Sequence, residues 1–448
     1  MFGYHMTTRM TPSRFLICRW LSIVIFLTLL LILPSQAFST IYGLVTDQGN
    51  HITPGNVVFV DLDNKAVLET IPVGVNPEGI VLGGPGYAYV ANSGSNSVSV
   101  IEIAIPESNI IKTITGIVSP LHLDIALYGE YVLVTNNNGI TVIDTKDNSA
   151  LKTVPPIYAY DIVNCGGYIC VSYPDEFVVR VLDISFTGTG TDNVLEATST
   201  SPDQPTRIAA IPDHVYAITD YNTVINISAS ATGDSGYSTL PVQFTTPANL
   251  AIHPNGTDLY VTDKGDNTVK IIDTNIDEQI ALINVGNSPS GIAFHPDGTY
   301  AYVVNSGGGT ISIIDTSTKT VVDTISDIAL VNPVEIVVFQ VLNNPPHVPL
   351  NPHPMEGEMD VPISPTLSWE GGDPDLGDTV IYDVFMGTDP DLGLEQVCTG
   401  IVYPETYCAP TTPLEYGTTY YWMVKATDSF GNVSEVPYPY WSFTTQES

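Results

Sequence analysis

Residues able to do chemistry are sparse in this 448-residue chain. Asp373, Asp375 and Asp378 stand close together in GGDPDLGDT. Carboxylates so spaced on a turn can ligate a hard cation, and calcium is the cofactor they suit, although the bidentate Glu that completes an EF-hand is missing. A solvated acidic loop is the other reading. Of eight histidines, His253 and His295 fall in HPNG and HPDG turns, where they serve the turn. Cys165 with Cys170, and Cys398 with Cys408, form two local pairs that lack metal-ligand spacing. No G-x-S-x-G elbow, H-E-x-x-H helix or phosphate-cradling glycine loop occurs. Any other site must be assembled by the fold from residues far apart in the chain.

The elements available for that are repeated short strands. Residues 288–325 read as four apolar runs rich in Val, Ile, Thr and Tyr, separated by Pro296-Asp297-Gly298, by Gly307-Gly308-Gly309 and by Asp315-Thr316. Such runs between turn residues are antiparallel strands. Residues 246–286 repeat the pattern. Four-stranded units at this period are propeller blades. The position after the second strand recurs as Asp47, Asn92, Asn136, Tyr173, Asp220, Asp263 and Asn305, which predicts seven blades and an all-β chain.

The second strands read AYVAN (88–92), VLVTN (132–136), YVTD (260–263) and AYVVN (301–305). With the flanking PxGIAFxPDG and T-x-x-I-D-T patterns, about 300 residues resemble the YVTN-type β-propeller repeat proteins. From about Asn344, LSW, DPDLGD, TTYYW and the terminal WSFTT resemble bacterial fibronectin type III modules. An immunoglobulin-like sandwich is expected there, with Trp369 and Tyr420-Tyr421-Trp422 as core.

The expected organisation is a secretory signal peptide over 1–37, the propeller over 38–342, a Pro-rich linker over 343–350 and the sandwich over 351–448. Arg9, Arg14 and Arg19, the apolar run 21–33 and Ser35-Gln36-Ala37 carry the first expectation. Export makes both cysteine pairs candidate disulfides. The protein is then secreted, periplasmic or at the cell surface, with no stable membrane insertion after cleavage. Loss of the three leader arginines takes the formal charge from −35 to −38. So acidic a surface repels phosphate backbones, which argues against nucleic acid. Asn226, Asn255 and Asn432 lie in N-x-S/T sequons. The mature chain opens on a second-strand pattern, and the missing first strand appears at 333–341, so these segments are expected to pair and close the ring.

Aligning the first strands on their entry prolines puts Glu335, Gly79, His122, Tyr160, Arg207, Asn249 and Gly291 around one opening. The polar members, His122, Tyr160, Arg207, Asn249 and Glu335, form the candidate ligand site, with Asp124 nearby. The expectation is a non-catalytic, monomeric interaction protein whose propeller presents a platform to a protein, glycan or small molecule. The alternative is an extracytoplasmic propeller enzyme, lactonase-like or quinone-dependent dehydrogenase-like.

Overall fold

The computed structural model describes residues 38–84, 86–104, 108–126, 129–154, 158–165, 168–182, 197–200, 203–212, 214–228, 236–375, 378–390, 393–434 and 440–448. The signal-peptide expectation over 1–37 lies outside them. Two compact units emerge, Thr40–Val341 and one that contains Leu342–Ser448.

The first unit holds seven four-stranded sheets. Numbered I to VII in chain order, six use four consecutive strands, with the strand that opens each sheet innermost. These inner strands are Pro77–Leu82, Leu123–Ala126, Ile162–Asn164, Pro205–Ile211, Pro247–Ile252 and Pro289–Phe294. Sheet I is built from both ends of the unit: Pro333–Asn343 lies beside Phe38–Asp47, followed by Pro54–Asp61 and Ala66–Val75.

Burial follows position in the sheet. Second strands such as Asp258–Asp263 are buried on both faces, which is why YVTD-like segments read as unbroken apolar runs. Fourth strands such as Thr320–Ser326 alternate between exposed and covered residues because one face meets solvent.

Hydroxyl groups fasten neighbouring sheets in register. Near the end of the second strand a Ser or Thr donates to the next sheet's inner strand or its entry: Thr46 to Glu78 O, Thr135 to Tyr160 O, Ser172 to Thr206 O and Thr262 to Ser290 O, at 2.7–2.8 Å. The following carboxylate holds the incoming loop of its own sheet. Asp263 accepts from Thr245 and Thr246 N–H, and Asp47 from Val331 and Asn332 N–H. The last pair ties the two ends of the unit together.

In the second unit a three-stranded sheet (Leu350–His353, Leu367–Glu370, Tyr407–Cys408) and a five-stranded sheet share one core. Thr419–Thr427 alternates strictly, putting Tyr420, Trp422, Val424 and Ala426 inward against Trp369, Tyr382 and Phe443. Tyr421 points away from that core, unlike its two neighbours. Cys398 and Cys408 are disulfide-bonded across the two sheets, and Cys165 and Cys170 within sheet IV. Stable disulfides fit a compartment outside the cytoplasm.

Candidate active site

Inner strands enter their sheets through an irregularity. Register shifts fall between Pro77 and Ile80, Pro205 and Ile208, Pro247 and Asn249, and Pro289 and Ile292. A bulge re-aims the residue inside it, and Gly79, Arg207 and Gly291 sit in these bulges. The residue after a hydroxyl-bound carbonyl is a ring residue at Gly79, Asp161, Arg207 and Gly291. A main-chain N–H that donates to the second-strand hydroxyl of its own sheet marks His122, Asp161, Asn249 and Glu335.

Asp161, and not Tyr160, is therefore the member from sheet IV. Its N–H donates to Ser172 Oγ at 3.0 Å, as Asn249 N–H does to Thr262 Oγ1 and His122 N–H to Thr135 Oγ1. The entry to sheet IV reads Tyr158-Ala159-Tyr160 with no proline to count from, so the sequence alignment slips by one residue. Tyr160 remains close, its ring centroid 5.5 Å from that of His122.

Arg207 joins the ring across its middle. Its Nη1 donates to His122 Nδ1 at 3.0 Å and lies 3.2 Å from Glu335 Oε2. Asn249 Nδ2 reaches the same carboxylate at 3.1 and 2.9 Å. Because Arg207 can only donate, His122 Nδ1 accepts, and the neutral imidazole carries its proton on Nε2. Glycine makes room for this. A Cβ on Gly291 would stand 2.5 Å from Glu335 Oε1, and one on Gly79 would stand 2.7 Å from Leu121 O.

A cavity of about 240 Å3 opens among these groups, lined by His122, Asp161, Arg207 and Glu335 and, along the inner strands, by Phe294 and Val338. Burial holds His122 well below the usual histidine range, and Arg207 lowers it further. Burial raises Glu335, with Arg207 pulling the other way, and pushes Asp161 up to about 6. Asp124, two residues beyond His122, is also raised to about 6 by burial; its oxygens accept from Ile125 and Asn164 N–H. Burial opposes the charge on Arg207, but Glu335, Asp161, Tyr160 and Glu78 outweigh it and the guanidinium stays charged. The cluster combines one fixed cation, a neutral imidazole and carboxylates of raised basicity. Such a set can polarise a carbonyl and accept a proton.

Sequence reasoning missed Asp161, Glu78 and Lys264. Burial raises Glu78, which accepts from Ser93 Oγ, and desolvation of the ammonium by the surrounding protein, with Arg207, lowers Lys264. Glu78 bears the carbonyl bound by Thr46, so the hydroxyl pattern could have located it. Lys264 sits in a turn and carried no signal.

The expected acidic triad is rearranged. Asp375 turns to Asn344, whose N–H and Nδ2 donate to it at 2.6 and 3.0 Å. Asp428 takes its place beside Asp373 and Asp378, and carboxylate oxygens of these three lie within 4.8 Å of one another. One oxygen each of Asp373 and Asp378 is buried without a partner among the described residues. Asp428, 50 residues further on, lay outside the DPDLGD stretch.

No family model and no curated protein matches this chain. Solved structures do. A putative 6-phosphogluconolactonase of Bacteroides fragilis is 16% identical with a TM-score of 0.57, covering 68% of this chain and 99% of that one. The periplasmic gluconolactonase of Pseudomonas aeruginosa is 16% identical with a TM-score of 0.56, covering 67% and 99%. The hydrazine synthase of Kuenenia stuttgartiensis is 21% identical with a TM-score of 0.51, covering 61% and 92%. At these identities the likeness is one of fold, and the fold is a β-propeller. It also corrects the expectation of a non-catalytic platform and of a chain that is no enzyme. All three of these neighbours bear the names of enzymes.

Proposed function

We propose that the chain is an exported enzyme, a seven-bladed YVTN-type propeller closed by strands from both ends, carrying a fibronectin type III-like sandwich, and that its axial site hydrolyses a small polar lactone. The observation that carries this reading is the Arg207, Glu335 and His122 assembly facing the 240 Å3 cavity. The names of the two lactonase-like neighbours agree with it by analogy of fold alone.

Lactone opening needs a base for water and positive charge where the carbonyl oxygen becomes an anion. Glu335, made more basic by burial, takes a proton from water as the water oxygen adds to the carbonyl carbon. Arg207 and the Nε2–H of neutral His122 stabilise the oxyanion. When the ring C–O bond breaks, the proton passes from Glu335 to the departing alkoxide and the product is a hydroxy acid. The hydroxyls of a sugar-derived lactone would meet Asp161, Asn249 and Tyr160 at the rim.

The test is ring opening of a panel of aldonolactones and simpler γ- and δ-lactones, followed by pH indicator. Wild-type protein should accelerate at least one of them. Arg207→Ala should lower kcat by roughly 10²–10³, as removal of an oxyanion donor does, and Glu335→Gln by roughly 10²–10⁴, as loss of a general base does. Rates equal to the buffer blank for every lactone, or variants as fast as wild type, would reject the assignment.

A further inference from the structure

At the other end of the inner strands, the contacts that join sheets VI and VII differ from those at the closing junction. Between sheets VI and VII a histidine, a ring and a lysine bridge the two sheets, although the Tyr260 hydroxyl is buried without a partner among the described residues. His253 Nδ1 accepts from Asn255 N–H at 3.0 Å, and Nε2 donates to Gly298 O of the next sheet's first turn at 2.8 Å. The Phe294 ring packs edge-on against His253 and Tyr260, at centroid distances of 5.1 and 5.0 Å. Lys319, from the outer hairpin of sheet VII, lies over the Tyr260 ring and bonds Asp258 at 2.5 Å.

Between sheets VII and I each part changes, and the cause is how the ring closes. The inner and second strands of sheet I come from opposite ends of the unit, so no turn joins them to supply a carbonyl as Gly298 does. His295 Nδ1 lies 2.5 Å from Asp297 Oδ1 and so directs a proton at that carboxylate, unlike His253 Nδ1, which accepts. The His295 Nε2 has no hydrogen-bond partner among the described residues. Counting from Pro289 and Pro333, the smaller Val338 stands in place of Phe294. Tyr300 holds the strand position of Asp258, so Lys65, the counterpart of Lys319, has no carboxylate there and pairs with Asp323 instead. The Tyr302 hydroxyl, like that of Tyr260 and unlike those on Tyr89 and Tyr216 that reach Asn148 and Asp277, has no partner among the described residues, but here it borders open space.

The result is a cavity of about 290 Å3 bounded by Asp63, Lys65, His295, Tyr300 and Tyr302 over an apolar floor of Leu62, Ile313 and Val322. We infer that this closure-junction pocket is a second binding site, separate from the axial cluster, and that it takes one neutral polyhydroxylated ring of hexose size. Its charges are already engaged, Lys65 with Asp323 and one Asp63 oxygen with Ile41 N–H at 2.9 Å, so no ionic ligand is called for. Its open groups are His295 Nε2, the Tyr302 hydroxyl and the other Asp63 oxygen, a set that matches vicinal hydroxyls, which both donate and accept. The apolar floor and the Tyr300 ring suit the C–H face of a sugar.

The test titrates the full exported chain with D-glucose, D-galactose, D-mannose and N-acetylglucosamine, followed by saturation-transfer NMR and calorimetry. One of them should bind saturably. Tyr302→Phe, which removes only the hydroxyl, should weaken it about three- to tenfold, the range for one neutral hydrogen bond. Tyr300→Asp, which restores the carboxylate that draws the lysine over the tyrosine, should close the pocket and abolish binding. Tyr260→Phe at the intact junction should change nothing. The inference fails if no sugar saturates, or if Tyr302→Phe and Tyr260→Phe affect binding equally in protein shown to be folded by circular dichroism.

Discussion

Replacing Asp161 by Asn should make the stability of the propeller depend differently on pH, with a crossover that a simple packing defect would not give. The Asp161 carboxyl is raised from 3.8 to about 6, first by burial, with Arg207 pulling it back down. A carboxyl raised in the folded state stabilises the fold while protonated. Its contribution is therefore complete below about pH 4 and lost as pH climbs through about 6. At 1.36 kcal/mol per pKa unit, the swing is about 3 kcal/mol. Asparagine cannot ionise and lacks this swing. It can still accept from one of the two backbone donors now bound, Ile162 N–H at 2.9 Å and Ile208 N–H at 2.8 Å, but sets an N–H against the other. That costs roughly 1–3 kcal/mol at every pH. The variant should thus melt lower than wild type at pH 4, by about 2–6 °C for a unit of this size, and should equal or exceed it at pH 7.5. Calorimetric scans of both proteins at the two pH values check this. A constant offset would show that Asp161 is not raised by burial and would undo the electrostatic account of the ring.

Other outcomes follow from the same geometry. Glu335→Gln leaves the buried Arg207 short of its main counter-charge and should cost about 3 kcal/mol, the lower end for breaking a buried pair since Asp161 remains; urea melts give the value. Gly291→Ala puts a Cβ 2.5 Å from Glu335 Oε1 and should displace that carboxylate, so lactone turnover should fall as in Glu335→Gln. Deleting Pro333 to the C-terminus opens sheet I and uncovers apolar contacts of Ile336, Val337 and Phe339, lowering the melting temperature by roughly 10 °C or more, whereas deletion from Asn344 onward should leave the propeller transition nearly in place. Calcium titrated calorimetrically should bind at Asp373, Asp378 and Asp428; Asp428→Asn should remove the heat, and Asp375→Asn, whose carboxylate is taken by Asn344, should keep it.

The sequence by itself determined the repeated unit. Turn residues such as Pro296-Asp297-Gly298 act on their immediate neighbours, and second strands buried on both faces must be apolar throughout, so four-stranded sheets were legible without knowledge of what they pack against. The pairing of 333–341 with the opening segment was also readable, because each shows half of a pattern found whole elsewhere, and the local spacing of the cysteines pointed to both disulfides. Only the tertiary structure decided the ring. Asp161 replaced Tyr160 because a bulge or a missing proline shifts register by one residue without altering the apolar pattern. Asp428 replaced Asp375 because chain reversal, not adjacency, sets which carboxylates meet. The raised carboxyls and the neutral His122 depend on desolvation and on groups up to some 290 residues apart, which no local pattern encodes.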